Sequence, residues 1–599
     1  DLVLHLPIPP GTLKTGENKL FIESAARPEE PADDIRVGAI RIRDAAPADV
    51  LTESRLRVTV ADGPSGCAAP ACVTFFSWEV PLAPVHSTPV VNTAAAAGCV
   101  YTADGPAVIG LPAGRYTLYA GRGFEYSLAR QEVTVAAGDE ASIALTIRRV
   151  VPTDGYVACD THVHSRTHSG HGDATVQERM VTLAGEGIEL PIATDHNVQI
   201  DHRPFAAEVG VEAFFTPVIG NEVTTKQGHF NIFPIDPEAP VPDHTVGAWE
   251  ETFDEIRRTP GVEVVILNHA RDIHSGTRPF GPKLHNAVVG ENLHGWPMGM
   301  NAMEVINSGA TQSDPLQLLH DWMGLLTRGH RVTPIGSSDS HDVNRYIVGQ
   351  GRTYIRVDDQ DPSAIDVAAA SRSLAAGHVM VSCGLLAELV VSDSYRSGDV
   401  APAPDGPLRV TARVLGPEWV TPRRLLLFAN GRLIREEAIP APAPDVLASG
   451  VHFTRTWELP QPRHDLFLTA IVVGDGIDAA WWRTARPYQP TSPDWEPRTL
   501  GCSGAVFVDA DGDGGWTPPY AYAVEIVERV DGDLAQTVDE LSAFDAAVAA
   551  HAAHQLRLRD CDFDSSAAKE ILRDAAPQTR EGIEEYLAAW RENQIAQFD

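Results

Sequence analysis

The sequence predicts a multidomain chain of α/β plus all-β class. A central α/β unit over 151–390 is flanked by β-sandwich domains and followed by a helical segment. Three observations lead to this expectation. At 599 residues the chain is too long for one hydrophobic core, and its length calls for about three to five domains. Between 151 and 390, short apolar runs alternate with stretches of helical periodicity. That is the rhythm of parallel strands joined by crossover helices and closed, or nearly closed, as a barrel. On either side, alternating runs are broken by Gly, Pro and Asp turns, the pattern of sandwiches.

Residues 1–49 read as the last strands of a sandwich, with alternation at 2–6, 19–24 and 35–42. They are too few to bury a core alone. Residues 50–150 read as a compact all-β domain with strands at 55–60, 71–76, 107–109, 116–120, 127–135 and 142–147. In the 151–390 unit, strands are expected at 156–159, 190–193, 213–220, 262–267, 303–306 and 332–335. Helices are expected there at 175–185, 252–258, 315–328 and 364–376. Residues 391–500 return to β, with strands at 408–414, 425–430, 451–458 and 466–474. Residues 501–599 hold an Asp/Gly loop and a mostly helical end, clearest at 538–554 and 580–597.

Hydrophobic content of 43% and charged content of 21% are those of a soluble globular protein. The formal net charge of −34 argues against a nucleic-acid or anionic-membrane partner, because phosphate contacts need a basic footprint. A small-molecule partner is expected instead. No run approaches the ~18 apolar residues of a membrane span, so no membrane insertion is expected. The chain starts at Asp1 rather than Met, which reads as a processed or trimmed start. Export to a periplasm or the extracellular space is the expectation, with a cytoplasmic protein as the alternative. Seven cysteines bear on this. In an oxidising compartment Cys502 would bridge Cys561, and Cys67 would bridge Cys72 or Cys99. The alternative is a set of free buried thiols.

The candidate site begins at Asp160-Thr161-His162-Val163-His164, where a mostly apolar run leads into an H-x-H pair. Strand side chains two apart share a face, so both imidazoles would project together at the strand's C-terminal end. Such a pair binds borderline cations such as zinc or manganese. Five further clusters follow, each just after an apolar run. They are Thr194-Asp195-His196-Asn197, Asn221-Glu222 with His229, Asn268-His269-Ala270-Arg271, Glu304 with Asn307, and Ser338-Asp339-Ser340-His341. One such cluster reads as polar strand-end capping. Six in succession, all drawn from His, Asp and Glu, point to cations sharing carboxylates and imidazoles on one rim.

The series H-x-H, T-D-H, G-x-E, G-H, N-H and S-D-S-H, in this order, resembles the polymerase and histidinol phosphatase (PHP) domain. Its details are most similar to the CehA/McbA-type metallohydrolases, the group that includes carbaryl hydrolase. Gly220-Asn221-Glu222-Val223-Thr224, Gly228-His229-Phe230-Asn231 and 376–384 carry that likeness. The 111–118 stretch, Leu-Pro-Ala-Gly-Arg-Tyr-Thr-Leu, resembles a hairpin of the carboxypeptidase-regulatory-like sandwich. The resemblance implies a distorted (β/α)7 barrel holding two or three divalent metals such as Zn, Mn or Fe. It implies that His162, His164, Glu222 and Asp339 hold one metal, and that Glu222, His229 and His269 hold a second. His196 and His341 would hold a third with a histidine from the 165–173 loop. His168 and His171 flank the family's position there, and His171, between glycines, is favoured. Asp195, Asn268 and Glu304 read as outer partners orienting the ligands, with Glu304 as an alternative ligand.

Two or three close cations would activate water and neutralise a substrate oxygen. No G-x-S-x-G elbow is present to suggest a serine nucleophile. His196 or His341 could protonate a leaving group. Arg271 could hold an oxyanion or phosphate, or could pair with Asp272 or another rim acid. Arg166, His274, Arg278 and His285 fall in loops on the same rim. The expected activity is hydrolysis of a small ester, amide or carbamate, with a small phosphate ester as alternative. A different class, a binding or envelope-scaffold protein with structural metals, also fits the flanking sandwiches. Outside the central unit, Asp509, Asp511 and Asp513 match the first half of an EF-hand loop and could hold calcium. Position twelve is Tyr520 rather than Glu, so a further ligand such as Glu525 or Glu528 is needed, and Pro518-Pro519 is expected to block a following helix.

Overall fold

The computed structural model describes residues 8–9, 11–21, 40, 42, 44–45, 49–50 and 52–598, apart from 78–79, 82–85, 88–91, 97, 273–276, 359, 403–405, 442–447 and 488–493. The strands expected at 2–6 and, almost entirely, at 35–42 lie outside the described residues. Residues 11–21 are turn and irregular backbone, exposed throughout, so the expected 19–24 strand is absent from the part described.

The first β unit is two sheets packed on one core. One contains Ser54–Asp62, Ala107–Leu111 and Glu140–Ile147, and the other contains Cys99–Thr102, Ala71–Ser77, Gly114–Gly121 and Ala129–Val135. Alternation decides the faces. Along Ser54–Asp62, Leu56, Val58 and Val60 are buried while Arg55 and Arg57 are exposed. The strand Thr93–Ala96 was not legible, because three alanines carry little strand propensity.

The central unit is mixed α/β. Tyr156–Val163 pairs in parallel with Leu190–Ala193, which pairs in parallel with Val218–Ile219. A second sheet runs Asn221–Thr224, His229–Phe233, Val264–Leu267, Ala302–Asn307 and Thr333–Ser337. Backbone bridges His196↔Glu222 and Val163↔Ser340 join the two sheets into a half-barrel. The expectation of parallel strands needs correcting. Asn221–Thr224 runs antiparallel to His229–Phe233, and Gly351–Arg356 runs antiparallel to Tyr156–Val163. The connection over 225–228 is a tight hairpin, too short for the crossover a parallel pair requires. The crossover helices behave as expected. Val176–Gly185 starts in a capping box of Thr175 and Glu178, and Trp249–Arg258 buries Phe253 and Ile256.

The 391–500 unit is not separated from the central one. Val379–Cys383 pairs with Arg498–Ser503, and the same sheet continues through Leu466–Asp475 and Pro422–Ala429 to Arg432–Ala438. A facing sheet of Leu386–Val391, Leu408–Leu415 and Val451–Leu459 completes a sandwich over a shared core. The end of the chain is helical, but the helix expected at 538–554 is two, Leu534–Leu541 and Ala546–Leu558. Asp545 caps the second by accepting from the Val548 amide, which breaks the run. Helix Pro577–Phe598 docks on the central unit, where Asn593 bonds Asn286 and the His285 carbonyl.

All seven cysteines are free thiols, so neither expected bridge forms. Cys502 lies in the sheet beside Thr469, in the core, while Cys561 packs among the C-terminal helices. Burial pushes the Cys502 thiol up to about 12. No helix among the described residues is long and apolar enough to cross a membrane.

Candidate metal centre

Strand ends of the half-barrel deliver the predicted residues to one place. His162 is the penultimate residue of the fully buried strand Tyr156–Val163 and His164 follows its end, their rings 4.9 Å apart. Glu222 comes from Asn221–Thr224, opposite Asn231 on the neighbouring strand that His229 begins. His269 and Asp339 follow Val264–Leu267 and Thr333–Ser337, and both adopt left-handed backbone, at φ 26° and 52°. Such conformations cost of order 1–3 kcal/mol in non-glycine residues and cluster at functional sites.

Glu222 is the hub. Its Oε1 lies 3.3 Å from His162 Nε2, 3.0 Å from His229 Nδ1 and 3.5 Å from His269 Nε2. Its Oε2 lies 2.5 Å from His196 Nδ1 and 3.6 Å from His164 Nε2. Asp339 Oδ1 stands 3.4 Å from both His162 Nε2 and His164 Nε2. Four overlapping groups result, each with its ligand atoms within 4.8 Å of one another: His162, His164 and Glu222; Glu222, His229 and His269; His162, His269 and Asp339; His164, His196 and His341. The buried nitrogens His162 Nε2, His164 Nε2 and His341 Nε2 have no hydrogen-bond partner among the described residues. Buried polar atoms without partners are costly, and a cation at the centre of each group would satisfy them. These buried clusters could hold metal ions.

The electrostatics divide the cluster: against their burial, the carboxylates of Asp339, Glu304 and Glu222 raise His162 and His269, and Glu222 raises His196, while the remaining imidazoles and the carboxylates stand in ligating form. Burial works against charge on Glu222, but His196, His162 and His229 outweigh it and hold the carboxyl well below the usual carboxylate range. Asp339 is likewise held low, by His162, His164 and His341 against its burial. Burial, with His341 and His196 alongside, keeps His164 well below the ordinary imidazole range, and burial pushes His341 down to about 4. Ionised carboxylates and neutral imidazoles are the forms that ligate metals.

The outer partners fall where they can orient the inner groups. Glu304 Oε1 meets His162 Nδ1 at 2.6 Å and accepts from Ser337, while Oε2 accepts from the His269 and Asn307 amide groups. Glu304 thus faces the back of His162. Asn268 donates to Glu222 Oε1 at 3.0 Å. Asp195 reaches His164 through Ser169, whose hydroxyl lies 2.6 Å from the carboxylate and 3.1 Å from His164 Nδ1.

Of the two loop histidines, His171 is at the centre's edge. Its ring stacks 4.4 Å from His341 and 5.2 Å from His196, outside the groups just described. His168 instead lies against Phe205. Gly172, at φ 84°, lets the loop close: a Cβ there would sit 2.3 Å from the His341 carbonyl.

Arg271 needs correction. Its guanidinium is bound to buried Asp321 through Nε at 2.8 Å and Nη2 at 2.5 Å, so the bidentate pair takes the groups expected to hold an oxyanion. Asp321 comes from helix Gln317–Arg328, a partner that local spacing could not reveal. Arg271→Ala is therefore expected to cost about 3–5 kcal/mol of stability by stranding that buried carboxylate. Metal content per folded chain is expected to stay unchanged, and denaturant melts with elemental analysis check both. His285 is likewise structural, fully buried with Nδ1 on Asn292 and its ring 4.3 Å from Phe280. Arg166 and Arg278 are exposed, and His274 lies outside the described residues.

Asp272, expected only as a possible partner of Arg271, stands elsewhere, and one further residue, Asp465, was missed. Asp272 is buried near His269 and Asp339, its Oδ1 accepting from Gln312, and burial raises it to about 6. Asp465 joins Asp509, Asp511 and Asp513 in a fourth-carboxylate position, with ligand atoms within 4.8 Å. It lies 44 residues before Asp509 (509 − 465), beyond any loop motif. Neither Glu525 nor Glu528 belongs to that group, and Glu525 pairs with Arg529. Pro518-Pro519 does not block a helix: Pro519 opens Pro519–Arg529 with Pro518 as its cap, a first-turn position where a missing N–H costs nothing.

The chain gives no match when compared with protein-family models, and none when compared with curated proteins.

Proposed function

We propose that this chain is a multinuclear metal-dependent hydrolase of PHP type, built on a distorted (β/α)7 barrel and acting on a small ester, amide or carbamate. The observation that carries the reading is Glu222, one buried carboxylate within 3.6 Å of five imidazoles. Structural sites close on one ion, whereas a shared carboxylate surrounded by overlapping ligand groups suits adjacent ions. Bound there, two or three divalent cations would supply a nucleophile from water near neutral pH and neutralise charge developing on the substrate.

The chain's own residues do the rest. Glu304 holds His162 with its Nε2 turned inward, and Asn268, which also donates to Asn231, donates to Glu222 Oε1. His196 and His341 reach solvent, their side chains 24% and 17% exposed, and His196, which Glu222 raises against its burial, would be the one to protonate a leaving group. The acidic surface disfavours polyanionic substrates at long range. Elemental analysis of the purified protein, then aryl esters, carbamates and phosphate monoesters with chelated controls, tests the reading. A protein that binds no transition metal, or that loads metal and turns over none of these classes, would refute it.

At the Asp465, Asp509, Asp511 and Asp513 cluster we propose calcium. Four carboxylates offer a hard oxygen set, and the cation would tie the start of strand Leu466–Asp475 to helix Pro519–Arg529. Calcium is expected to raise the melting temperature of wild type but not of Asp511→Ala, with no change in transition-metal content. Calorimetry that shows no heat would leave the loop as a turn.

A further inference from the structure

A cavity of about 400 Å³ lies at the other end of the strand Tyr156–Val163 from the histidines. Its lining includes the apolar Pro152, Met380 and Leu415 and the cationic Arg356, Arg396 and Arg413. Its size is that of a small-molecule site. Three guanidiniums meet in one cavity of a chain whose net charge is −34.

The carboxylates present do not saturate those cations. Glu388, 8% exposed, is shared between two of them: it meets Arg396 Nη1 and lies 2.7 Å from Arg413 Nη1. Asp399 takes Arg356 at 2.8 and 3.2 Å and is shared with His378 at 3.6 Å. Asp154, also on the wall, is exposed and screened by water. A guanidinium has five N–H donors in a planar fork, so Arg396 and Arg413, anchored at Nη1 by buried Glu388, keep donors for a further acceptor. The groups come from three stretches, the 152–156 entry to the central unit, the 356 and 380 strands, and the 388–415 sandwich strands.

We propose that this cavity binds a small organic anion, with its carboxylate or phosphate group on Arg396 and Arg413 and its apolar body against Pro152, Met380 and Leu415. Six residues of strand rise, about 20 Å, separate Tyr156 from His162, so the bound anion does not reach the metal ligands. The site is distinct from the proposed reaction centre and stands whether or not the hydrolase reading does. A bound anion would cross-link the 152–156 segment to the 388–415 strands and stiffen the seam between the two units.

The test uses the full chain stripped of transition metals, so that the histidine cluster cannot capture the probe. Calorimetric titration with benzoate, phenyl phosphate and inorganic phosphate is expected to show saturable one-to-one binding of at least one organic probe. Inorganic phosphate, with no body for the apolar residues, is expected to bind more weakly. Tighter benzoate binding marks a carboxylate ligand, and tighter phenyl phosphate binding a phosphate monoester. Arg396→Gln and Arg413→Gln are each expected to weaken binding about tenfold or more, and the exposed-strand control Arg435→Gln to leave it unchanged. Crystals soaked in 4-bromobenzoate give a readout independent of variant folding, with a bromine peak expected in the cavity. No saturable binding, equal affinity in both arginine variants, or a bromine peak only elsewhere would overturn the proposal.

Discussion

Glu222→Gln is expected to reduce transition-metal content to at most one equivalent per chain and to lower hydrolysis by more than about 100-fold, beyond what losing an outer partner costs. The carboxylate lies 3.3 Å from His162, 3.6 Å from His164, 2.5 Å from His196, 3.0 Å from His229 and 3.5 Å from His269. It is the one carboxylate that belongs to two of the four ligand groups. An amide of the same shape keeps one acceptor but removes the charge that offsets adjacent cations, and it turns an N–H₂ toward imidazole nitrogens. Fold is expected to survive, because the variant is isosteric. Elemental analysis and circular dichroism on the same sample separate the two effects. Wild-type metal stoichiometry in a folded variant would remove Glu222 from the bridge.

The second large effect belongs to Glu304. Its two oxygens engage His162 Nδ1 at 2.6 Å, the Ser337 hydroxyl, the His269 amide at 2.6 Å and Asn307 Nδ2 at 2.9 Å, with the residue wholly buried. Glu304→Ala leaves all four without their acceptor in a water-poor interior. A loss of about 3–5 kcal/mol is expected from breaking one side of a buried charged network. Metal affinity is expected to fall about 10–100-fold, because His162 loses the group that orients its ring. Glu304→Gln separates the two consequences. It keeps the shape and one acceptor, so stability is expected to recover more than metal affinity. If metal titration of Glu304→Ala matches wild type, the contact orients nothing.

How much was legible follows from the range of each interaction. His162 and His164 could be placed on one face because strand side chains alternate with a period of two, a purely local rule. The helix start at Val176 was legible because Thr175 and Glu178 satisfy each other's backbone within four residues. The direction of Asn221–Thr224 was less so. Its hairpin is short, yet the surrounding alternation of strands and helices favoured parallel pairing, and only the ladder to His229–Phe233 shows the reversal.

Partners brought by the fold lay beyond reach. Arg271 could be read as an anion holder or as half of an ion pair, and the choice rested on Asp321, 50 residues away on a helix that packs beside it. Asp465 joins the Asp/Gly loop because Leu466–Asp475 pairs with Val506–Val508, which no spacing within the loop encodes. Cys502 and Cys561 were paired by their place in the sequence, and the structure puts one in a sheet and the other among helices.

The sequence by itself determined the chemistry on offer: a succession of His, Asp and Glu residues at strand ends in an acidic chain, and the strand and helix periods that present them. Tertiary structure alone decided which of those groups meet. Periodicity and capping act over a few residues, whereas the Glu222 hub, the Arg271–Asp321 pair and the arginine cavity each depend on segments far apart in sequence, and only long-range packing sets the distances between them.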